Sequence, residues 1–272
     1  MKNSKIVATG SYLPKKVLSN ADLEKMVDTS DEWIQSRAGI KSRHIVGDET
    51  LLDMLEHSAK QIIERAGIAV NDIDGIIVGT TSNDYIFPSA GNLLQARLGI
   101  TNNCGSFDVQ AACSGFIYAL SIADQFIKTG AMKNILVMGA EAISRYINWE
   151  DRATCVLFGD GAGGVLLTAS EEPGLLSTHI HSDGRYKDCL HAANNWHEKG
   201  DMVKRPEIVM VGKEVFKAAV NTLNDIVTEV LEANKLEKSD ITWLVPHQAN
   251  MRIITATAKN IRLANGQGSG DC

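Results

Sequence analysis

Apolar positions along the chain follow two periods. From Leu51 to Ala66, Leu52, Leu55, Ala59, Ile62 and Ile63 recur at helical spacing, which predicts an amphipathic helix. Thr50-x-x-Asp53 matches a capping box at its start, and Gly67 is placed to stop it. The continuous run Gly75-Ile76-Ile77-Val78 predicts a buried strand. A helix is expected from near Pro88 to Gly99, then a strand over Ser106–Val109. Cys113 should open a further helix that ends near Gly130, followed by a buried strand over Ile135–Met138. Two β-rich runs, Thr154–Phe158 and Gly164–Thr168, flank a glycine-rich stretch that reads as a tight hairpin turn. Farther on, Val215, Phe216, Ala219, Leu223, Ile226, Val227 and Val230 line one side of a predicted helix over Lys213–Ala233. That helix leads into a strand-like run, Ile241–Val245.

Two segments share an order of features. GIAVNDIDGIIVGTT begins at Gly67 and KLEKSDITWLVPHQA at Lys235. Each reads as a helix end, a polar link, Asp-Ile, and a strand ending in a loop. The pattern is a weak internal repeat, which fits either a duplicated half-domain or coincidence. From its shared strand the first copy continues for roughly 90 residues and the second for only about 30. The end, NIRLANGQGSGDC, is polar and glycine-rich and reads as a loose tail.

Alternating β-rich and helical segments in 272 residues suit an α/β protein of one large domain or two small ones. A formal net charge of −6 argues against binding nucleic acid or an anionic membrane through bulk charge. The chain shows no signal-peptide pattern and no run of about 20 apolar residues, so no membrane association is expected. Its five cysteines lack paired spacing, which predicts reduced thiols and a cytoplasmic setting.

Cys113 sits at the break between the strand and the helix, among Ala111, Ala112, Ser114 and Gly115. A helix start favours a thiolate, and small neighbours permit a sharp turn and close approach of a substrate. This is the logic of a nucleophile elbow with sulfur in place of oxygen; the plainer reading is a buried structural thiol. His247, in Val245-Pro246-His247-Gln248-Ala249-Asn250, falls at a strand end, where α/β proteins place sites, with the Asn250 amide close by. A lone histidine is as readily a hydrogen-bonded structural residue. The stretch Phe158–Gly164 lacks the Lys-Ser/Thr of a phosphate loop. His179 and His181 would share a strand face, with Cys189, His191 and His197 beyond, but no set has zinc-like spacing, so no metal is expected. Lys213, Lys217, Arg252, Lys259 and Arg262 form either a solvated helix face or a patch that steers an acidic partner.

Around Cys113 and His247 the chain closely resembles the β-ketoacyl-acyl-carrier-protein synthase III family, the initiating condensing enzymes of bacterial fatty acid synthesis. DTSDEWIQSRAGIKSRHI is similar to the family's N-terminal block, AACSGF to its nucleophile segment and FGDGAG to its glycine turn. EVFK is similar to its mid-chain helix and VPHQAN to its histidine motif. The likeness runs from about Lys5 to Lys259. It implies a thiolase-like fold: two βαβαβαββ halves in a five-layer αβαβα sandwich, usually a homodimer. It implies that Cys113 takes an acetyl or similar short acyl group from coenzyme A. Malonyl-acyl-carrier protein then loses CO2 and attacks the acyl-Cys113 thioester, with His247 as a hydrogen-bond donor. Thr29, Trp33, Arg37, Arg152, Phe216, Ala249 and Asn250 would bind coenzyme A, which is a substrate; no cofactor is implied. Phe87 and Phe158 would belong to the acyl pocket, Phe87 reaching the partner subunit's. Lys217 and Arg252 would meet the acidic acyl carrier protein.

One departure from the pattern matters. The family's second enolate donor is an asparagine in a His-Gly-Asn-Thr-Ser loop, and these residues contain no such run. Nor do they contain its C-terminal Gly-Gly-Gly-Phe. The expected organisation is an N-terminal half over residues 1–170 carrying the nucleophile, an incomplete second half over 171–259, and a non-family tail over 260–272. Impaired condensation and reduced stability are expected. The alternatives are a non-catalytic remnant that binds coenzyme A or dimerises, and a secondary-metabolite acyltransferase of the same fold. A papain-like protease would want a Cys-Gly-Ser-Cys-Trp type segment near the start, which is absent.

Overall fold

The computed structural model describes residues 2–193 and 205–261. Its strands are β1 (Asn3–Tyr12), β2 (Lys16–Ser19), β3 (Ser42–Ile45), β4 (Gly75–Gly79), β5 (Gly105–Val109), β6 (Asn134–Glu141), β7 (Gly161–Ser170), β8 (Leu190–Ala192) and β9 (Ile208–Met210). Its helices are α1 (Asn20–Leu23), α2 (Asp31–Ala38), α3 (Leu51–Ala66), α4 (Ala90–Arg97), α5 (Gly115–Lys128), α6 (Arg152–Cys155), α7 (Gly212–Asn234) and α8 (Met251–Ile261). The chain forms two compact units that interleave along the sequence. The first takes the described residues to Val17, His44–Ile143 and Gly159–Ile180; the second takes Leu18–Arg43, Ser144–Phe158 and the described residues from His181.

The first unit is built on a five-stranded sheet of order β1-β7-β6-β4-β5. β4 runs parallel to β5 and β6, while β7 runs antiparallel to β6 and β1. All five residues of β4 are buried, as its unbroken apolar run predicts. Successive side chains alternate between faces. Ile76 and Val78 join Leu55, Ile62 and Leu94 of α3 and α4 in one core; Ile77 joins Ala119, Ala123 and Ile127 of α5 in another. The sheet is therefore covered on both faces. α3 starts on the Thr50/Asp53 capping box and stops at Gly67 in the left-handed region (φ 66), as expected.

Several expectations are corrected. α4 begins at Ala90 with Ser89 as its cap, because the Ser89 hydroxyl accepts from Asn92 N. Thr154–Phe158 is not a strand: Asp151 accepts from Ala153 N at 2.9 Å and from the Thr154 hydroxyl at 2.9 Å, which starts α6 instead. The glycine-rich stretch is not a hairpin turn either, since Gly161–Gly164 already belong to β7. There the absence of a side chain serves packing, as a Cβ on Gly164 would lie 2.6 Å from Val137 O. His179 and His181 lie outside any strand; they bond to Ser177 (2.9 Å) and Glu229 (2.8 Å).

Ile241–Val245 has strand-like composition but makes a bridge only at Leu244, and Trp243 and Val245 are exposed. A strand needs lateral partners for its N–H and C=O groups, and among the described residues this run bridges only at Leu244. The repeat itself is visible in the backbone. After α3, Gly67 turns left-handed and a 3-10 turn follows over Val70–Asp72, with Asp72 accepting from Ala69 N at 3.0 Å. After α7, Lys235 turns left-handed (φ 55) and a 3-10 turn follows over Lys238–Asp240, with Asp240 accepting from Glu237 N at 2.8 Å. Among the described residues no helix is long and apolar enough to cross a membrane.

Candidate active site

Cys113 lies between the carboxyl end of β5 and the start of α5, in a 3-10 turn over Ala112–Ser114. The α-helix proper begins two residues later than expected, at Gly115. Ala112 takes φ 45, the left-handed region that few non-glycine residues adopt. The turn can sit against the sheet because Gly79 and Gly115 face each other. A Cβ on Gly79 would lie 2.5 Å from Gly115 C, and one on Gly115 would lie 3.2 Å from Gly79 Cα. The residue is exposed at the surface of its unit.

The surroundings of the thiol act against the helix start. Desolvation pushes the Cys113 thiol up from its ordinary value, the Glu141 carboxylate adds to this, and only its own backbone N–H acts the other way. Cys113 is thus exposed as a residue while protein atoms around its thiol still raise the pKa. Glu141 ends β6 and is itself pushed up by burial. It accepts hydrogen bonds from Thr81 N at 2.8 Å and from the hydroxyls of Thr81 and Ser82. Ser82 Oγ in turn accepts from Ala142 N at 2.7 Å. Asp108 of β5 accepts from Ala90 N (2.7 Å) and Gly91 N (2.9 Å), which anchors the start of α4. Reading from the sequence missed Glu141 and Asp108. Their signal was a carboxylate at or near the carboxyl end of an apolar strand.

The second unit contains all seven residues expected to bind coenzyme A. The Arg152 guanidinium lies 4.9 Å from the centre of the Trp33 ring and that of Arg37 lies 6.0 Å from it. Arg152 Nη1 donates to Asp28 O at 2.7 Å. Thr29 Oγ1, next in the chain, is buried and has no hydrogen-bond partner among the described residues. Arg252 lies 5.4 Å from the Phe216 ring, so α7 and α8 bring these two together, with Lys217 exposed beside them. Asn250 caps α8, its Oδ1 accepting from Arg252 N at 2.9 Å, and Ala249 sits in the bend before it. His247 lies in the loop ahead of that bend; it is exposed as a residue, yet desolvation of its ring lowers its pKa, which favours the neutral imidazole. Cys113 and His247 belong to different units. Phe87 is 82% exposed in the first unit, and Phe158 is half-buried in the second. Among the described residues no three metal-capable side chains converge; His197 and Arg262 lie outside them.

Residues 107–184 match the family model described as 3-oxoacyl-[acyl-carrier-protein] synthase III, and residues 231–269 match its C-terminal model. The second match runs past Lys259, where the motif resemblance ends. The β-ketoacyl-[acyl-carrier-protein] synthase III of Alkalilimnicola ehrlichii is 54% identical over 267 residues, covering 97% of this chain and 82% of that protein. The chain belongs to the β-ketoacyl-acyl-carrier-protein synthase III family. It is thus a condensing acyltransferase with a thiolase-like fold, of the kind that initiates fatty acid synthesis. The crystal structure of the Aquifex aeolicus 3-oxoacyl-[acyl-carrier-protein] synthase III superposes with TM-score 0.91 at 45% identity, covering 97% of this chain and 83% of that one. The priming β-ketosynthase of the R1128 polyketide pathway gives TM-score 0.92 at 35% identity, covering 97% and 80%.

Proposed function

We propose that the chain is a cytoplasmic enzyme that condenses a short acyl group from acetyl-coenzyme A with malonyl-acyl-carrier protein. Cys113 loses its proton and its sulfur attacks the acetyl thioester carbonyl; the C–S bond to coenzyme A then breaks, leaving acetyl-Cys113 and the free coenzyme A thiol. Malonyl-acyl-carrier protein next loses CO2. Its carbanion attacks acetyl-Cys113, the Cys113 thiol is released and 3-ketoacyl-carrier protein leaves. The neutral His247 imidazole donates an N–H to the enolate oxygen that develops on decarboxylation. Trp33, Arg37 and Arg152 hold the adenine end of coenzyme A by stacking and charge, and Thr29, Phe216, Ala249 and Asn250 line the rest of its path. The unpaired Thr29 hydroxyl supports this reading, since a buried hydroxyl costs free energy until a ligand satisfies it.

Lys217 and Arg252 meet the acidic carrier protein. Tyr85, Ile86 and Phe87 form an exposed apolar run (58%, 78% and 82%) that suits a second copy of the chain, with Phe87 and Phe158 shaping the acyl pocket of a homodimer. The observation that carries the reading is the placement of Cys113 on a left-handed turn between strand end and helix start, exposed for attack. Incubation with acetyl-coenzyme A followed by intact-protein mass tests it. An acetyl-sized gain is expected in this chain and none in Cys113→Ser. Absence of the gain in both would overturn the assignment of Cys113.

A further inference from the structure

Arg43 is 4% exposed, and no carboxylate pairs with it among the described residues. Its guanidinium donates instead to three neutral oxygens: Leu18 O at 3.2 Å, Asn20 Oδ1 at 2.9 Å and Val156 O at 3.1 Å. A buried cation without a counter-charge is costly, so its placement calls for a reason. Two of its acceptors lead to the two walls of the Trp33 platform. Val156 directly follows α6, the helix that carries Arg152. Asn20, itself 2% exposed, passes the contact on: its Nδ2 donates to Asp31 Oδ1 at 2.7 Å and to Ile40 O at 2.8 Å. Asp31 is the first residue of α2, the helix that carries Trp33 and Arg37. The hydrogen-bonded line Val156–Arg43–Asn20–Asp31 therefore joins the end of one helix to the start of the other. Across that join Arg152 faces Trp33 at 4.9 Å.

We infer that Arg43 and Asn20 are positioning residues that hold α2 and α6 in register, so that Trp33 and Arg152 form a preorganised slot for the nucleotide end of coenzyme A. The inference rests on the reading that this platform binds coenzyme A. Its physical content is that binding avoids ordering two separate helices when the slot is already set. Both residues belong to the second unit and Cys113 to the first, so their replacement is expected to leave the chemical step unchanged.

The test compares acetylation of Cys113 by acetyl-coenzyme A with acetylation by S-acetyl-pantetheine, which has the same thioester and no nucleotide. Asn20→Ala and Asp31→Ala each remove one link; Asp31 is exposed, so its replacement leaves the core intact. The expected result is a half-saturating acetyl-coenzyme A concentration raised about tenfold, with the limiting rate held and acetyl-pantetheine kinetics unchanged. Asp31→Asn, which keeps an oxygen acceptor, should restore most of the loss. Trp33→Ala is the reference for the platform. If it discriminates between the two thioesters and the Asn20 and Asp31 variants do not, the inference is overturned and the platform stands. If Trp33→Ala fails to discriminate, the platform reading falls and the inference with it. Equal loss on both thioesters in Asn20→Ala and Asp31→Ala would mark a general structural defect and would also overturn it.

Discussion

The Cys113 sulfur is surrounded by influences that keep its proton on, and the removable one is the charge of Glu141. The sign of its effect is clear. Desolvation comes first, and a nearby carboxylate further disfavours a thiolate, so both push the Cys113 thiol up from its ordinary value. Glu141→Gln should move the pH profile of Cys113 alkylation by iodoacetamide to lower pH and speed alkylation at pH 8, about two- to fivefold. An unmoved profile would show that Glu141 is already uncharged beside the thiol. At this scale legibility was uneven. Cys113 and His247 were readable because each stands out by type at a break in the hydrophobic pattern. Glu141, Asp108, Asn20 and Arg43 were not, because their importance depends on partners distant in sequence. Arg43 is paired with Val156 across 113 positions and Glu141 with Thr81 across 60. The influences opposing the helix start at Cys113 were hidden for the same reason, since the sequence shows the helix but neither the desolvation nor the carboxylate behind it.

Among the secondary-structure elements, α5 and β4 set the position of the nucleophile, and the Gly79–Gly115 contact sets their spacing. Gly79→Ala would drive a Cβ to 2.5 Å from Gly115 C, a backbone atom that cannot swing aside. It should cost about 1–3 kcal/mol by urea denaturation and slow Cys113 acetylation as the turn shifts. Gly139→Ala is the milder comparison: its Cβ would lie 3.3 Å from Phe116 Cβ, a contact relieved by a shift of a few tenths of an ångström rather than a backbone clash at 2.5 Å. Equal costs for both would mean that the glycine pair does not hold the turn. Elements with one strong periodic signal, such as α3, α7, β4 and β6, were legible from sequence. Those decided by competition were not. Thr154–Phe158 carries apolar residues, but Asp151 caps a helix there, and Ile241–Val245 lacks the lateral partners that would make its propensity a strand.

For the whole molecule, the family likeness and the thiolase-like fold were readable because several motifs, each short, occur in the right order over nearly the full chain. What the pattern could not supply is whether both half-reactions run. The two place different demands on the protein. Acetylation needs the Cys113 turn and a bound thioester, and both groups of residues are present. Decarboxylative condensation also builds negative charge on an enolate oxygen, for which the family uses a histidine and an asparagine donor. Of these donors, His247 lies in the loop ahead of α8. Losing one such donor lowers a rate by about 10²–10³. His247→Ala should therefore still acetylate Cys113 yet form 3-ketoacyl-carrier protein slower than the unsubstituted chain by about that factor. Burst acetylation followed by slow product, read by intact-protein mass and product assay on one sample, is the expected pattern. Product at the unsubstituted chain's rate would mean that His247 does not serve the enolate. Failure of both steps would place the defect in folding, because the acetylation machinery is otherwise in place.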